Sequence, residues 1–139
     1  FLASAFPQKT PLIQTSRKVN KTKTNWVINK IKQEINFYKK QESKIFKLGI
    51  LGLAFKPDID DLRESPSLLI MKELIDKGIN VFCHEPNIKT HHEIKLYSKE
   101  HIEEKMDILI FLVANESFLK INLFNKLVLD FCGITRIQK

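Results

Sequence analysis

Only two cysteines, four glycines, five prolines and one tryptophan occur among 139 residues. Two cysteines cannot build the disulfide framework of a small secreted domain, so any core must come from apolar packing, and a reducing, cytoplasmic setting is expected. So little glycine and proline excludes collagen-like and linker-like compositions. No apolar run approaches the roughly 20 residues that a membrane-spanning helix needs. Ile108–Ala114 is among the longest, so no membrane partner is expected. The chain begins at Phe1 rather than Met, which suggests a processed, truncated or partial chain, and Phe1–Phe6 lacks the charged start of a signal peptide. With 43% apolar and 28% charged residues it is not a disordered composition. The length suits one domain, or one domain with an appendage, able to bury about two-thirds of its unfolded surface.

Charge is present but unevenly placed. The net charge is +7. Residues 1–42 hold nine basic and two acidic residues, which accounts for the whole excess, while residues 43–139 hold 14 of each. A basic arm on a neutral body suggests a nucleic-acid or acidic partner. Trp26, Phe37 and Tyr38 lie among the lysines of this arm, as on a nucleic-acid surface, but a helix with one packed and one solvated basic face is the simpler reading.

The arm reads as one long helix from Leu12 to about Lys40, free of Gly and Pro, with Pro11 suited to its first turn. Thr22, Thr24, Asn25 and Asn29 lower helix propensity and predict a break near Lys21–Thr24. Beyond it, strand-like and helix-like patterns alternate. Ile45–Leu53, Asn80–His84, Asp107–Val113 and Leu127–Phe131 read as strands. Ser65–Lys77 reads as a helix, with Ser65 as N-cap, Pro66 at its first position and Gly78 as its stop, and Lys99–Lys105 as a short one. Ser117–Lys126 fits neither pattern. The fold class is therefore α/β: a small Rossmann-like parallel sheet with covering helices, preceded by a long helix.

The segment Gly49–Pro66 (GILGLAFKPDIDDLRESP) leaves the end of the first predicted strand, where open α/β sheets bind ligands. It combines two glycines, a lysine, an arginine and a helix start, all of which favour an anion. Its glycines lack the G-x-G-x-x-G order of a dinucleotide fingerprint. A polar loop in which Asp60 or Asp61 orders Arg63 is the equally simple alternative.

This segment resembles the C-terminal signature of the UDP-glucose/GDP-mannose dehydrogenase family, as do Glu85-Pro86-Asn87 and the helix PLIQTSRKVNKTKTNWVINKI. The resemblance runs from about Pro11 to Gly133. It implies that residues 1–42 end a helical central domain that makes the homodimer interface, and that residues 43–139 form the UDP-sugar-binding C-terminal domain. It also implies an NAD-dependent oxidation of a nucleotide-sugar 6-hydroxyl to a carboxylate through two hydride transfers, in polysaccharide precursor synthesis. UDP-N-acetyl-D-mannosamine is the leading substrate, with UDP-glucose, UDP-N-acetylglucosamine and GDP-mannose as alternatives. In the family an N-terminal Rossmann domain binds NAD, and a cysteine nucleophile lies just before the position of Phe1. The resemblance thus assigns no catalytic residue to this chain and implies that it is inactive alone. It matches Phe55 and Lys56 to nucleotide-sugar contacts and Arg63 to the NAD side. Asp60, Asp61, Glu64 and Ser65 match positions that hold the loop and cap the helix. The family has a basic residue two positions after a C-terminal Asp; here Asp130 is followed by Cys132, a departure from that pattern. The competing function is a non-enzymatic module that binds nucleic acid or an acidic partner through its basic helix.

Other candidates read more simply. Asp58, Asp60 and Asp61 lack the order of a calcium loop, and His84, His91, His92 and His101 lack zinc spacing, so no metal is expected. Cys83 reads as a small buried hydrophobe. Asn20-Lys-Thr22 and Asn115-Glu-Ser117 fit a glycosylation pattern that has no meaning in a cytoplasmic setting.

Overall fold

A computed structural model of the chain describes residues 5–41 and 45–136. The expected domain boundary at 42/43 lies outside the described residues.

Helix α1 spans Pro11–Gln41 after a single 3-10 turn, Pro7–Lys9. The break expected near Lys21–Thr24 is absent. The Thr22 and Thr24 hydroxyls donate to the carbonyls of Lys18 (3.0 Å) and Asn20 (3.2 Å), so they follow the helix instead of competing with it. Only the second half of α1 packs. Val27, Ile28, Ile31 and Ile35 recur at helical spacing and are buried, whereas residues 11–23 are exposed throughout.

The sheet consists of β1 (Leu48–Leu51), β2 (Val81–His84), β3 (Ile108–Phe111) and β4 (Leu127–Asp130). All pairs are parallel, in the order β2-β1-β3-β4. Leu48 stands opposite both Val81 and Ile108, and Ile108 opposite Leu127. The strands are shorter than the sequence pattern predicts. Ile45 is exposed, and β1 ends where Gly52 turns the backbone to φ +90°. The ambiguous stretch 117–126 holds the end of a 3-10 turn, Glu116–Phe118, followed by loop.

Side-chain alternation along the central strands builds two cores. Leu48, Ile50, Ile108 and Ile110 face α1 and α2 (Pro66–Asp76). Leu51, Leu109 and Phe111 face α3 (Lys99–Lys105) together with Ile102, Met106 and Phe118. Because both faces are covered, β1 and β3 read as unbroken apolar runs. Gly49 lies where α3 crosses the sheet: a Cβ there would stand 2.8 Å from Ile102 Cγ2 and Met106 Cγ.

Helix α2 begins as expected, with Ser65 Oγ accepting from Leu68 N (3.3 Å) and Pro66 in the first turn. It ends at Gly78, φ +74°, where Gly78 N donates to Ile75 O and Ile79 N to Leu74 O. The chain leaves β1 towards β2 on one side and returns to β3 on the other. The outgoing segments of β1 and β3 leave towards opposite faces of the sheet, which makes the carboxyl ends of these two strands its topological switch point. No helix among the described residues is long and apolar enough to cross a membrane.

Candidate functional site

The switch point is bordered by the loop that follows β1. Gly52 N donates to His84 O at 3.0 Å, continuing the β1–β2 contact. Leu53 N and Ala54 N then donate to one carboxylate oxygen of Glu85, at 2.7 and 2.9 Å. Ser65 Oγ donates to Leu53 O at 2.6 Å, so the helix cap also closes the loop. Phe55 N donates to Asp61 O at 2.8 Å and narrows its neck. Between these ties, residues 55–60 are exposed.

Phe55 and Lys56 stand together on this exposed turn, with the Lys56 ammonium 5.9 Å from the Phe55 ring. Among the described residues no carboxylate pairs with Lys56. An apolar ring beside an unpaired cation can pack on a flat or sugar surface and offset a phosphate charge.

Arg63 lies across the neck from them. Its Nε donates to both Asp61 oxygens (2.9 and 3.2 Å) and its Nη2 to Oδ2 (2.7 Å), while its backbone N donates to Asp61 Oδ1 (2.9 Å). The Arg63 side chain is 89% exposed. Asp61, not Asp60, orders the arginine; Asp60 lies exposed. Ser65 caps α2, whereas Glu64, in the left-handed region at φ +53°, makes a loose 3.8 Å pair with Arg17 of α1.

The Arg63 hydrogen bonds hold the Asp61 carboxyl down at about 2. A depressed carboxylate pKa contributes order that is present above the ordinary value and is lost as pH falls through the depressed one. The Asp61–Arg63 clamp should therefore persist at pH 3 and open near pH 2. An NMR titration of the Asp61 side-chain carboxyl reads this directly. A midpoint near 4 in the native chain would exclude the clamp, and Arg63→Ala should move the midpoint up to that range.

Two further residues, Glu85 and Asn115, organise the loop. Glu85 is 2% exposed and also accepts from Asn87 N (3.2 Å). Asn115, fully buried after β3, accepts at Oδ1 from Asp58 N (2.7 Å) and from Asn87 Nδ2 (3.5 Å). Sequence reasoning assigns neither a role: Glu85 stands only inside a resembling tripeptide and Asn115 only inside a glycosylation pattern. Their contacts to the β1 loop and to each other's neighbours join residues 28 to 57 positions apart, which no local pattern marks.

At the end of β4, Asp130 accepts from Cys132 N (3.0 Å), Gly133 N (2.7 Å), Thr135 N (2.9 Å) and Thr135 Oγ1 (2.7 Å). Its carboxylate is occupied in shaping the turn Ile134–Arg136. Burial pushes the Cys132 thiol up to about 11 and the Cys83 thiol up to about 12, so neither is an activated nucleophile. Among the described residues no group of three or more His, Cys, Asp or Glu is arranged to hold a metal ion.

Residues 49–136 match the UDP-glucose/GDP-mannose dehydrogenase family, UDP binding domain. The chain is 35% identical to the UDP-N-acetyl-D-mannosamine dehydrogenase of Campylobacter jejuni, over 95% of this chain and 33% of that protein. It is 32% identical to the NDP-N-acetyl-D-galactosaminuronic acid dehydrogenase of Ralstonia solanacearum, over 96% of this chain and 32% of that protein. The solved UDP-N-acetyl-mannosamine dehydrogenase of S. aureus superposes with a TM-score of 0.75 at 25% identity, covering 96% of this chain and 32% of that one. This chain thus spans about a third of the length of these relatives. The family match takes in all four strands, apart from the first residue of β1, together with the Gly52–Ser65 loop, and the chain belongs to the UDP-glucose/GDP-mannose dehydrogenase family, of which it carries the UDP-binding domain.

Proposed function

We propose that this chain is the nucleotide-sugar-binding part of an NAD-dependent UDP-sugar 6-dehydrogenase, with UDP-N-acetyl-D-mannosamine as its substrate. The carrying observation is the loop Gly52–Ser65, which presents Phe55 and Lys56 at the switch point inside the stretch that matches the UDP-binding domain. Lys56 offsets the diphosphate charge, and Phe55 packs against the ligand beside it. The names of both relatives carry an N-acetylated hexose, which supports an N-acetylated sugar and favours mannosamine through the Campylobacter protein.

NAD, when bound, accepts the two hydrides that the oxidation releases. Arg63 suits an anionic part of that cofactor: its side chain is exposed, and the Asp61 clamp engages Nε and Nη2 but not Nη1. The remaining contacts belong to the two-thirds of the relatives that this chain does not span. Spanning about a third of those relatives, the 139-residue chain by itself binds the nucleotide and does not oxidise the sugar.

Residues 1–42 act as the end of a central helical domain and as a homodimer surface. Leu12, Ile13, Val19 and Phe37 lie exposed along α1 and support an apolar partner there. A nucleic-acid role for the basic helix is not adopted. Lys23 stacks on Trp26 at 3.8 Å, and Trp26 stands edge-on to Phe131 at 6.1 Å, so this lysine–aromatic pair is engaged within the chain.

Titrating the chain with UDP should shift amides from Leu53 to Ser65, and Lys56→Ala should weaken binding about tenfold, as expected when one charge-assisted contact is lost. UDP that leaves those amides unmoved would sink the proposal.

A further inference from the structure

Asn115 occupies the cap position of the 3-10 turn Glu116–Phe118, yet its side chain makes no cap bond. It is turned onto the β1 loop instead. Its Oδ1 accepts from Asp58 N at 2.7 Å, and Asp58 Oδ1 accepts from Glu116 N at 3.4 Å, so Asp58 is bonded to both Asn115 and its neighbour. The amide orientation follows from chemistry, because a flipped group would set Nδ2 against the Asp58 N–H. Flipping is therefore closed to Asn115, although Nδ2 is buried without a partner among the described residues. A buried orphan donor is unfavourable, and a residue kept solely for packing would not need it. Asp58 is itself in the left-handed region, φ +58°, and it lies two residues after Lys56. A strained loop residue keeps its conformation only when its surroundings over-determine it. Glu85 and Ser65 tie the root of the loop, while Asn115 ties its outer limb.

We propose that Asn115 is the positioning residue of the nucleotide loop: its acceptor oxygen sets where Asp58, and with it the Phe55–Lys56 turn, stands over the end of β3. The importance for UDP rests on the functional reading above, whereas the hold on the loop does not. Asn115→Ala removes the acceptor together with the orphan donor, so the fold should survive. Asn115→Ser, whose oxygen is too short to reach Asp58 N, gives the same test with a milder change.

Two measurements on the 139-residue chain test this. Amide hydrogen exchange at Asp58 should accelerate at least tenfold in either variant, while Ile110 in β3 stays protected. Unchanged Asp58 exchange overturns the proposal, whether or not UDP binds. UDP affinity should fall at least threefold in Asn115→Ala, and this loss should vanish in a Lys56→Ala background, because both substitutions act through one turn. A loss of full size in that background means that Asn115 acts elsewhere and likewise overturns it. A native chain that ignores UDP sinks the functional reading, and the exchange rate at Asp58 then decides for or against the Asn115 hold by itself.

Discussion

Gly52→Ala should lower the unfolding free energy of the chain by about 2–5 kcal/mol, from two independent costs. The first is conformational. Gly52 sits at φ +90°, where an L side chain costs roughly 1–2 kcal/mol. The second is crowding. An added Cβ would lie 2.6 Å from Val113 Cβ, 3.0 Å from Val113 N and 3.1 Å from Val113 Cα. Val113 cannot retreat, because Leu112 N is bonded to Leu51 O and holds the ends of β1 and β3 together. Overpacking of this kind costs about 1–3 kcal/mol. Gly78→Ala separates the two costs. Gly78 has φ +74° but nothing within 4 Å of an added Cβ, so only the conformational cost applies. Urea unfolding of the two variants should differ by about 2 kcal/mol, the overpacking share alone. If Gly52→Ala costs no more than Gly78→Ala, the close approach of the two strand ends is wrong. Because Gly52 opens the loop that carries Phe55 and Lys56, UDP binding should suffer with the fold.

Glu85→Ala is the second large effect, at about 3–5 kcal/mol. One buried oxygen receives Leu53 N and Ala54 N, and the other receives Asn87 N. Removing the carboxylate leaves backbone donors buried without acceptors, each costing about 1–3 kcal/mol. Water cannot fully replace the lost acceptor at a site only 2% exposed. Glu85→Gln should be milder, about 1–2 kcal/mol, because its amide oxygen can still serve Leu53 and Ala54 while only its NH₂ faces Asn87 N. The ordering Ala worse than Gln worse than native, in denaturant midpoint, is the test. Equal stability of Glu85→Ala and native would mean that the loop root is held by something other than this carboxylate.

Gly52 and Glu85 act across the fold, whereas other residues act close to home and are legible in the sequence. Helix α2 is legible end to end, because Ser65, Pro66 and Gly78 act on the backbone within a few positions of themselves. The strands are legible as apolar runs, and their parallel arrangement follows from alternation with helices. Their ends are not, since periodicity continues past the point where a loop bond, such as Gly52 N to His84 O, takes the chain out of the ladder. The break expected in α1 rests on threonine propensity, a few tenths of a kcal/mol per residue, which hydroxyl bonds to the preceding turn and packing of the Val27–Ile35 stripe outweigh.

The amino-acid order is enough to determine the fold class, the position of the anion-favouring loop and the family, because these depend on local backbone chemistry and on a contiguous motif from Gly49 to Pro66. The choice of Asp61 for Arg63 and the turn around Asp130 are local, over two to five residues, and depend on backbone geometry that residue identity leaves open. Folding in three dimensions decides that Glu85 and Asn115 hold the loop. The physical reason is range. A hydrogen bond depends on a few ångströms of space and is indifferent to the 28 to 57 residues between its partners, so only the parallel sheet, by bringing three strand ends to one edge, could bring these groups together.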